Sequence, residues 1–146
     1  DGKILRMPIR ELDCLDWKDS QKAEESGEYC WENRTVRMRI TGIKGTKQEI
    51  RIGSRNNALT IRSEGNRTEI SFLDDRGNPA VCGGGRRIRI GRTEEDVDHI
   101  LIIIDSSIVE IYVNHGETVF TSRIYLEEGE RKLAVQGGGT VSVQMI

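Results

Sequence analysis

Residues 104–125 read IDSSIVEIYVNHGETVFTSRIY, and this stretch decides the fold because it predicts a β-hairpin. Apolar and polar residues alternate on both sides of His115-Gly116, a pair that suits a tight turn. A two-residue turn there pairs Asn114 with Glu117. The register that follows pairs Val113 with Thr118, Ile111 with Phe120 and Val109 with Ser122. Val109, Ile111, Val113 and Phe120 then share the core face.

The same stretch carries carboxylates of the kind that glycosidases use. In this register Glu110 and Glu117 both lie opposite the core, but Glu110 pairs with Thr121, four residues along the strand from Glu117. That separation is roughly 13 Å at ~3.4 Å per residue. Glycosidase carboxyl pairs lie about 5–5.5 Å or about 6.5–9.5 Å apart. The hairpin therefore cannot supply such a pair by itself.

A Ser/His/Asp triad is the second catalytic alternative in this stretch. Asp105, Ser106 and Ser107 are followed by His115. Nothing here resembles a Gly-x-Ser-x-Gly nucleophile elbow, and a triad is defined by spatial roles. These residues are better interpreted as turn formers beside buried strands. We therefore assign no catalytic residue.

Alternation with a period of two continues through most of the chain and predicts further strands. The clearest example is residues 36–41, where Val36, Met38 and Ile40 alternate with polar residues. The other predicted strands are centred on Ile50–Ile52, Leu59–Ile61, Ile70–Phe72, Ile88–Ile90, Ile100–Ile104, Val109–Val113, Thr118–Ile124, Leu133–Val135 and Val141–Met145. About ten short strands separated by Gly-rich turns predict an all-β sandwich or barrel.

One segment departs from this pattern. Residues 16–25, DWKDSQKAEE, are polar nearly all round and lack an apolar stripe, which predicts a loop or a short turn of helix. No repeat of propeller or solenoid length is present. Residues 1–146 are therefore predicted to form a single domain.

Composition excludes several classes of partner. The chain has 22 Lys+Arg, 24 Asp+Glu and a formal net charge of -2, which gives no field that would attract nucleic acid or an anionic membrane. The longest apolar run, Ile100 to Ile104, is far shorter than the ~20 residues that span a bilayer. We expect neither a nucleic-acid nor a membrane partner.

The cysteines predict neither a disulfide framework nor a metal centre. Cys14, Cys30 and Cys82 are odd in number and widely spaced, as is typical of reduced thiols in a cytoplasmic protein. A zinc site would need His99 or His115 at a spacing that matches no zinc template. We expect no metal and no cofactor. The sequence begins Asp1-Gly2-Lys3, so we expect it to be a fragment of a longer polypeptide.

Two other features suggest ligand binding. The segment GGGRRIRIG at 83–91 lacks the Gly-Lys-Ser/Thr ending of a phosphate loop and continues into a strand, which favours a hairpin loop. Arg86, Arg87, Arg89 and Arg92 could bind an acidic ligand, although a solvated strand face is favoured. Trp17, Trp31 and Tyr112 could stack on a sugar, although packing in a core or interface is favoured.

Residues 106–125 closely resemble the signature hairpin of the C-terminal β-sandwich domain of glycoside hydrolase family 32, which comprises invertases, sucrose-6-phosphate hydrolases and fructanases. That pattern runs Ser-Ser-Val-Glu-(Ile/Val)-Phe-(Val/Ile)-Asn-Asp-Gly-Glu and then Phe-Thr-Ser-Arg. The motif positions matched here are Ser107, Glu110, Asn114, Gly116, Glu117, Phe120 and Arg123. Ile108 is an extra residue, His115 replaces the usual Asp, and the expected C-terminal Trp is missing.

A second resemblance lies near the other end of the chain. DGKILRMPIRELDCL, residues 1–15, is similar to the segment that follows the catalytic domain in that family, with Pro8, Ile9, Glu11 and Leu12 at matching places. Residues 16–100 match only in strand pattern.

The resemblance implies a two-sheet antiparallel β-sandwich, a concanavalin-like jelly roll, that serves as an accessory domain. In the family, catalysis belongs to an N-terminal five-bladed propeller with Asn-Asp-Pro, Arg-Asp-Pro and Glu-Cys motifs, and none of these occurs here. The implied partner is that propeller in the same polypeptide, and homo-oligomerisation is a further expectation. The outer face at Tyr112 and Val119 is expected to pack against the propeller or another subunit. The alternatives are a module that binds fructan or sucrose directly, and an adaptor unrelated to sugar enzymes.

Overall fold

The computed structural model describes residues 2–24, 27–32, 34–54, 57–73, 76–80, 82–83 and 87–146, with the side chains of residues 19–24 excepted. Twelve strands and two short 3-10 helices lie in this part of the chain. The helices are Arg10–Cys14 and Glu128–Glu130. The strands are β1 (Lys18–Glu24), β2 (Gly27–Cys30), β3 (Thr35–Thr41), β4 (Gln48–Ser54), β5 (Asn57–Glu64), β6 (Arg67–Ser71), β7 (Ile88–Arg92), β8 (His99–Asp105), β9 (Ile108–Val113), β10 (Thr118–Arg123), β11 (Lys132–Gln136) and β12 (Thr140–Met145).

The strands form two six-stranded antiparallel sheets. Sheet A has the order β1-β12-β3-β8-β9-β10, and sheet B has the order β2-β11-β4-β5-β6-β7. The two sheets enclose one apolar core, which confirms the predicted β-sandwich.

The core consists of the apolar residues that alternation places on the inner faces. All ten predicted strands are present, and most of their alternating apolar side chains are almost completely buried. The exception is β7, in which Ile88 and Ile90 are exposed. The largest buried side chains are Met38, Ile40, Ile43, Ile50, Ile52, Leu59, Ile61, Ile70, Ile100, Ile102, Ile111 and Ile124. β-branched residues of this kind pack well on a pleated surface, which is why the pattern alone located these strands.

The prediction of a loop or helical turn over residues 16–25 was wrong. Lys18–Glu24 forms β1, which pairs with β12 at the edge of sheet A with an irregularity between Asp19 and Gln21. Residue 25 lies outside the described residues. Strand pairing is made by backbone groups, so an edge strand can form without the apolar alternation that marks a core strand.

The register of the signature hairpin is confirmed. β9 pairs with β10 through Val113–Thr118, Ile111–Phe120, Glu110–Thr121 and Val109–Ser122. The connection is wider than the predicted two-residue turn, because pairing ends at Val113 and Thr118 and residues 114–117 all belong to the turn. Its residues Asn114, His115 and Gly116 have positive φ angles of 45°, 57° and 89°. Asn and Gly tolerate this conformation better than other residues.

None of the helices within the described part of the chain has the length and apolar character needed to cross a membrane.

Candidate functional site

The turn of the signature hairpin is tied to the segment before β8 by Asn114. Its Oδ1 accepts hydrogen bonds from the backbone N–H groups of Asp98 (2.8 Å) and His99 (3.2 Å), and its Nδ2 donates to the carbonyl of Asp96 (3.0 Å). One short side chain thus satisfies three backbone groups in a loop. Asn114 therefore has a structural role.

The two hairpin carboxylates have separate partners. Glu117 accepts hydrogen bonds from the Lys3 Nζ (2.7 Å) and from the Glu94 backbone N–H (2.9 Å). The Lys3 hydrogen bond is the main reason that the pKa of Glu117 is lowered. Glu110 instead accepts a hydrogen bond from the Tyr112 hydroxyl at 2.8 Å.

The confirmed register keeps these carboxylates apart. Glu110 pairs with Thr121, four residues from Glu117, which agrees with the roughly 13 Å expected along a strand. Each carboxylate already serves a different local contact. The arrangement lacks the paired geometry that glycosidic bond cleavage requires.

The remaining hairpin motif residues also have structural contacts. Arg123 donates to the Ser107 hydroxyl at 3.1 Å, and the Ser107 carbonyl accepts from the backbone of Ile124 at 3.0 Å. Phe120 is buried in the main core. Gly116 accepts a hydrogen bond from the Arg6 backbone N–H at 3.1 Å. That last contact connects the hairpin to the beginning of the chain.

Residues 2–17, called the strap below, lie across the outer face of sheet A. Its beginning is held by Lys3, which pairs with Glu117 and with Glu94 (2.5 Å). These ion pairs raise the pKa of Lys3, with the Glu117 hydrogen bond as the largest cause. At the next point along the strap, the Arg6–Gly116 hydrogen bond joins backbone to backbone. The strap is therefore fixed to the hairpin turn.

The middle of the strap covers an apolar patch on sheet A. Leu101, Ile103 and Tyr112 point outward from the sheet, are buried, and pack with Leu12 and Val119. Together they form a second, smaller hydrophobic cluster outside the main core. The N-terminal motif residues differ here: Pro8 is half-buried beside this cluster, whereas Glu11 is exposed.

The last residues of the strap contact a buried arginine of β3. Arg37 is 8% exposed and donates to Asp13 (2.8 Å) and to Gln144 (2.9 Å). Trp17 stacks on the same guanidinium group, and its indole N–H donates to the Leu12 carbonyl at 2.6 Å. A planar cation can make several directed hydrogen bonds and a ring contact at once.

This arrangement corrects the expectation that Tyr112 offers a free surface for docking. Tyr112 is buried in the cluster against which Leu12 of the strap packs, whereas Val119 is half-buried at the same cluster. A sequence signal was present, because Ile100–Ile104 is an unbroken apolar run, and both Leu101 and Ile103 point away from the core. A strand that is apolar on both faces is covered on both faces.

The candidate sugar-binding aromatics do not form one site. Trp31 is 4% exposed and lies in the main core between the sheets. Tyr112 is 5% exposed under the strap, and burial together with the Glu110 hydrogen bond raises its pKa to about 12. Trp17 is half-buried against Arg37. Neither Trp31 nor Tyr112 presents an open ring face for stacking.

The residues of the rejected triad are far apart in the topology. Asp105, Ser106 and Ser107 lie at the β8–β9 turn, where Asp105 accepts a hydrogen bond from Thr35. His115 lies at the opposite end of β9, stacked on His99 with ring centres 4.5 Å apart.

The three cysteines are free. Burial raises the pKa of the Cys82 thiol to about 11, whereas a nucleophilic cysteine needs a lowered pKa.

Among the arginines of the β7 region, the Arg89 side chain joins the two sheets. Arg89 donates to the Thr121 carbonyl at 2.9 Å and to the Ser122 hydroxyl, so it links the edge of sheet B to the edge of sheet A. Arg87 and Arg92 are exposed, and Arg86 lies outside the described residues. Next to Arg92, Thr118 donates to the Arg92 carbonyl at 2.7 Å. Arg89 is therefore engaged in closing one side of the sandwich.

A polar cleft of about 430 Å³ opens near the β5–β6 hairpin. Four of its charged residues pair with one another, since Arg62 donates to Glu49 at 2.9 Å and Lys47 lies 3.4 Å from Glu64. The full lining is Lys47, Gln48, Glu49, Arg62, Ser63, Glu64, Arg67, Gln136 and Gly137. It contains no aromatic side chain on which a sugar ring could stack.

Comparison with known proteins identifies this arrangement. A β-fructofuranosidase of glycoside hydrolase family 32 from Bombyx mori superimposes with a TM-score of 0.70 at 16% identity, over 97% of this chain and 29% of that one. The sucrose-6-phosphate hydrolase of Lactobacillus gasseri gives 0.71 at 14% identity, over 97% and 31%. A family 32 enzyme of Bifidobacterium adolescentis gives 0.67 at 11% identity, over 99% and 24%.

The chain therefore spans less than a third of the length of these enzymes. At these identities the superpositions show a shared fold. A search of curated protein sequences found no match. The family profile described as "Glycosyl hydrolases family 32 C terminal" matches residues 38–146, which is most of the chain and includes the signature hairpin. On that match, the chain belongs to the C-terminal domain family of the family 32 glycosyl hydrolases.

Proposed function

We propose that this chain is the non-catalytic C-terminal domain of a β-fructofuranosidase that hydrolyses sucrose or sucrose 6-phosphate. Family membership supports this proposal, and the superimposed enzymes include a β-fructofuranosidase and a sucrose-6-phosphate hydrolase. The proposed partner is a catalytic β-propeller in the same polypeptide.

The observation that carries the non-catalytic role is the separate engagement of Glu110 and Glu117. Glu110 is bound by Tyr112, and Glu117 is bound by Lys3. Hydrolysis of a glycosidic bond needs two carboxyl groups on either side of the same bond. The sequence also lacks the Asn-Asp-Pro, Arg-Asp-Pro and Glu-Cys motifs that the family resemblance assigns to the propeller.

The proposed work of the domain is mechanical: it braces the catalytic domain or joins subunits. A sandwich with one large core, and a strap held on it by ion pairs, hydrogen bonds and apolar packing, offers a neighbouring domain a preformed surface.

Direct binding of fructan is the rival function. Burial of Trp31 and Tyr112 counts against a stacking platform built from those residues. Calorimetric titration of the chain with levan and inulin oligosaccharides separates the two functions. Bracing predicts no heat of binding, and saturable heat would favour the binding module.

The proposal is tested by assaying release of fructose from sucrose and of fructose from sucrose 6-phosphate. The full-length polypeptide should hydrolyse at least one of them, and the 146-residue chain should hydrolyse neither. Glu110→Gln and Glu117→Gln in the full-length protein should leave the chemical step intact. Turnover by the purified 146-residue chain, abolished by either substitution, would refute the non-catalytic assignment.

A further inference from the structure

β7 presents apolar side chains to solvent at the edge of sheet B. Its alternating residues Ile88 and Ile90 are 48% and 53% exposed. An exposed apolar edge strand is a template for pairing with another chain, and proteins usually cover such an edge or interrupt it. β7 keeps both isoleucines in the open, which is typical of a surface that binds a partner.

A groove of about 430 Å³ lies beside this edge, where β7 meets β10. Its lining includes Ile88 and Ile90 of β7 and the half-buried Val119 of β10. The two strands are joined across the groove, because Arg89 donates to the Thr121 carbonyl at 2.9 Å. A partner therefore meets a preformed groove, and ordering it adds little to the entropy lost on binding.

β7 and β10 run in opposite directions along the groove. Thr118, the first residue of β10, donates to the carbonyl of Arg92, the last residue of β7, at 2.7 Å. The hydrogen bond from Arg89 reaches Thr121, further along β10. The start of β7 therefore lies near the end of β10.

Three exposed arginines consequently stand at the two ends of the groove. Arg87, just before β7, and Arg123, at the end of β10, lie at one end, and Arg92 lies at the other. Within the described ranges, no carboxylate forms an ion pair with any of the three. Glu69 of the neighbouring strand β6 pairs instead with Arg67 at 2.8 Å. The groove is thus apolar along its length and positively charged at its ends.

We propose that this groove binds an extended segment of another protein, in which alternating apolar residues are flanked by acidic residues. The segment lies along β7 as an added strand, with its apolar side chains against Ile88, Ile90 and Val119. Its carboxylates pair with the exposed arginines at the two ends. In strand addition, main-chain hydrogen bonds supply affinity and side-chain contacts supply specificity. Arginine and carboxylate groups form strong paired hydrogen bonds. This role is additional to the proposed bracing of a catalytic domain and does not require it.

The charges of β7 argue against a second copy of this chain as the occupant. Two β7 strands side by side bring Arg87, Arg89 and Arg92 of one copy near the same residues of the other. Like charges on paired strands destabilise the pairing. An acidic segment has the opposite effect. Arg87 and Arg92 are five residues apart, which is roughly 17 Å at ~3.4 Å per residue, so carboxylates at the same spacing match them.

The probe is a fluorescein-labelled peptide with that spacing, Asp-Val-Thr-Val-Thr-Asp. Its fluorescence anisotropy is measured while the 146-residue chain is added. We expect saturable binding, and binding of the matched peptide Lys-Val-Thr-Val-Thr-Lys that is weaker by about tenfold or more. Binding of the acidic peptide should also weaken as the salt concentration rises, because the charges at the ends of the groove are exposed.

Variants of the chain test the two kinds of contact separately. Ile88→Ser together with Ile90→Ser should weaken binding about tenfold, since both apolar contacts are lost. Leu15→Ser is the control, because Leu15 is 43% exposed but lies near the end of the strap. Arg87→Gln should weaken binding about threefold and reduce its salt dependence. Its control is Lys132→Gln, which changes an exposed lysine on β11. Both controls should leave the affinity unchanged.

Four outcomes would overturn the proposal. The first is no binding of the acidic peptide even at millimolar concentration, and the second is equal affinity for wild type and the isoleucine variant. The third is a dimer of the 146-residue chain that Ile88→Ser with Ile90→Ser dissociates, since the occupant is then a second copy. The fourth is binding by the 146-residue chain but not by the full-length polypeptide, since another part of the same polypeptide then fills the groove.

Discussion

The guanidinium carbon of Arg37 lies 4.4 Å from the centre of the Trp17 ring, so a cation on β3 is stacked against the last residue of the strap. Arg37 is 8% exposed, and the same guanidinium group donates to Asp13 and Gln144. It thus connects the strap, β3 and β12. A buried charge is tolerated where its donors are paired, and here the strap provides part of that pairing.

Arg37→Lys should weaken the attachment of the strap. Lysine keeps the charge but loses the planar fork and the ring stacking, and it leaves Gln144 and Asp13 incompletely bonded. We expect the free energy of unfolding to fall by about 1–3 kcal/mol, measured by urea denaturation. Arg62→Lys is the control, because Arg62 is 52% exposed in its ion pair with Glu49 and should cost less than about 1 kcal/mol. Equal losses in the two variants would contradict the role given to Arg37.

Gly116→Ala should detach the beginning of the strap. Gly116 has a φ of +89°, and an added Cβ would overlap the Arg6 backbone that bonds to this turn. Gly42→Ala is a matched control, because Gly42 has a φ of +71° but nothing within 4 Å of the added Cβ. Both variants place a Cβ on a left-handed backbone, which lowers the free energy of unfolding by about 1–2 kcal/mol. We expect Gly116→Ala to lose more free energy of unfolding than Gly42→Ala and to be cleaved faster by trypsin after Arg6. Equal losses in the two variants would argue against the contact between the strap and the turn.

The hairpin was predictable from the sequence because its fold depends on local alternation. Inward burial of Val109, Ile111 and Val113 permits one register, and the structure has that register. β1 was not predictable in this way, since backbone pairing at a sheet edge leaves little trace in side-chain pattern.

The position of the strap could not be predicted from local sequence patterns. Leu12 and the outward residue Leu101 are distant in sequence, and no local period relates them. The unbroken apolar run of β8 shows that both of its faces are covered, but it does not name the segment that covers the outer face. Burial of Trp31, by contrast, agrees with the sequence-based interpretation that a tryptophan is more often packed in a core than stacked on a ligand.

Gly91→Ala should open the side of the sandwich where β7 meets β10. An added Cβ would overlap the Thr118 Cγ2 and lie 3.0 Å from the Phe120 Cζ. We expect a loss of about 1–3 kcal/mol in the free energy of unfolding, as for other overpacked sites. Gly129→Ala meets nothing within 4 Å and is the control. Adding Thr118→Ser to Gly91→Ala removes the overlapping methyl group but keeps the hydroxyl that bonds Arg92, so it should recover part of the loss. If stability does not recover, the strain in Gly91→Ala does not come from the Thr118 methyl group.

The His99–His115 stack should make stability depend on pH. The pKa of His99 is lowered from its ordinary 6.5, first by burial and then by the neighbouring His115 and Arg39, with Asp98 acting in the opposite direction. Between the lowered pKa and 6.5, residue 99 therefore binds more protons in the unfolded chain than in the folded chain, so its contribution to stability falls as the pH decreases through that window.

Urea midpoints at about pH 5.5 and about pH 7.5 measure this effect, and we expect the lower midpoint at about pH 5.5. His115→Asn is the informative variant, because Asn tolerates the positive φ of 57° but removes the stacked ring. It should bring the pKa of His99, followed by NMR titration, back toward 6.5 and reduce the difference between the midpoints. Carboxylates such as Glu117 contribute equally in both proteins, so the difference between them isolates the histidine pair. A midpoint difference of the same size in wild type and variant would show that the pair does not control the pH dependence.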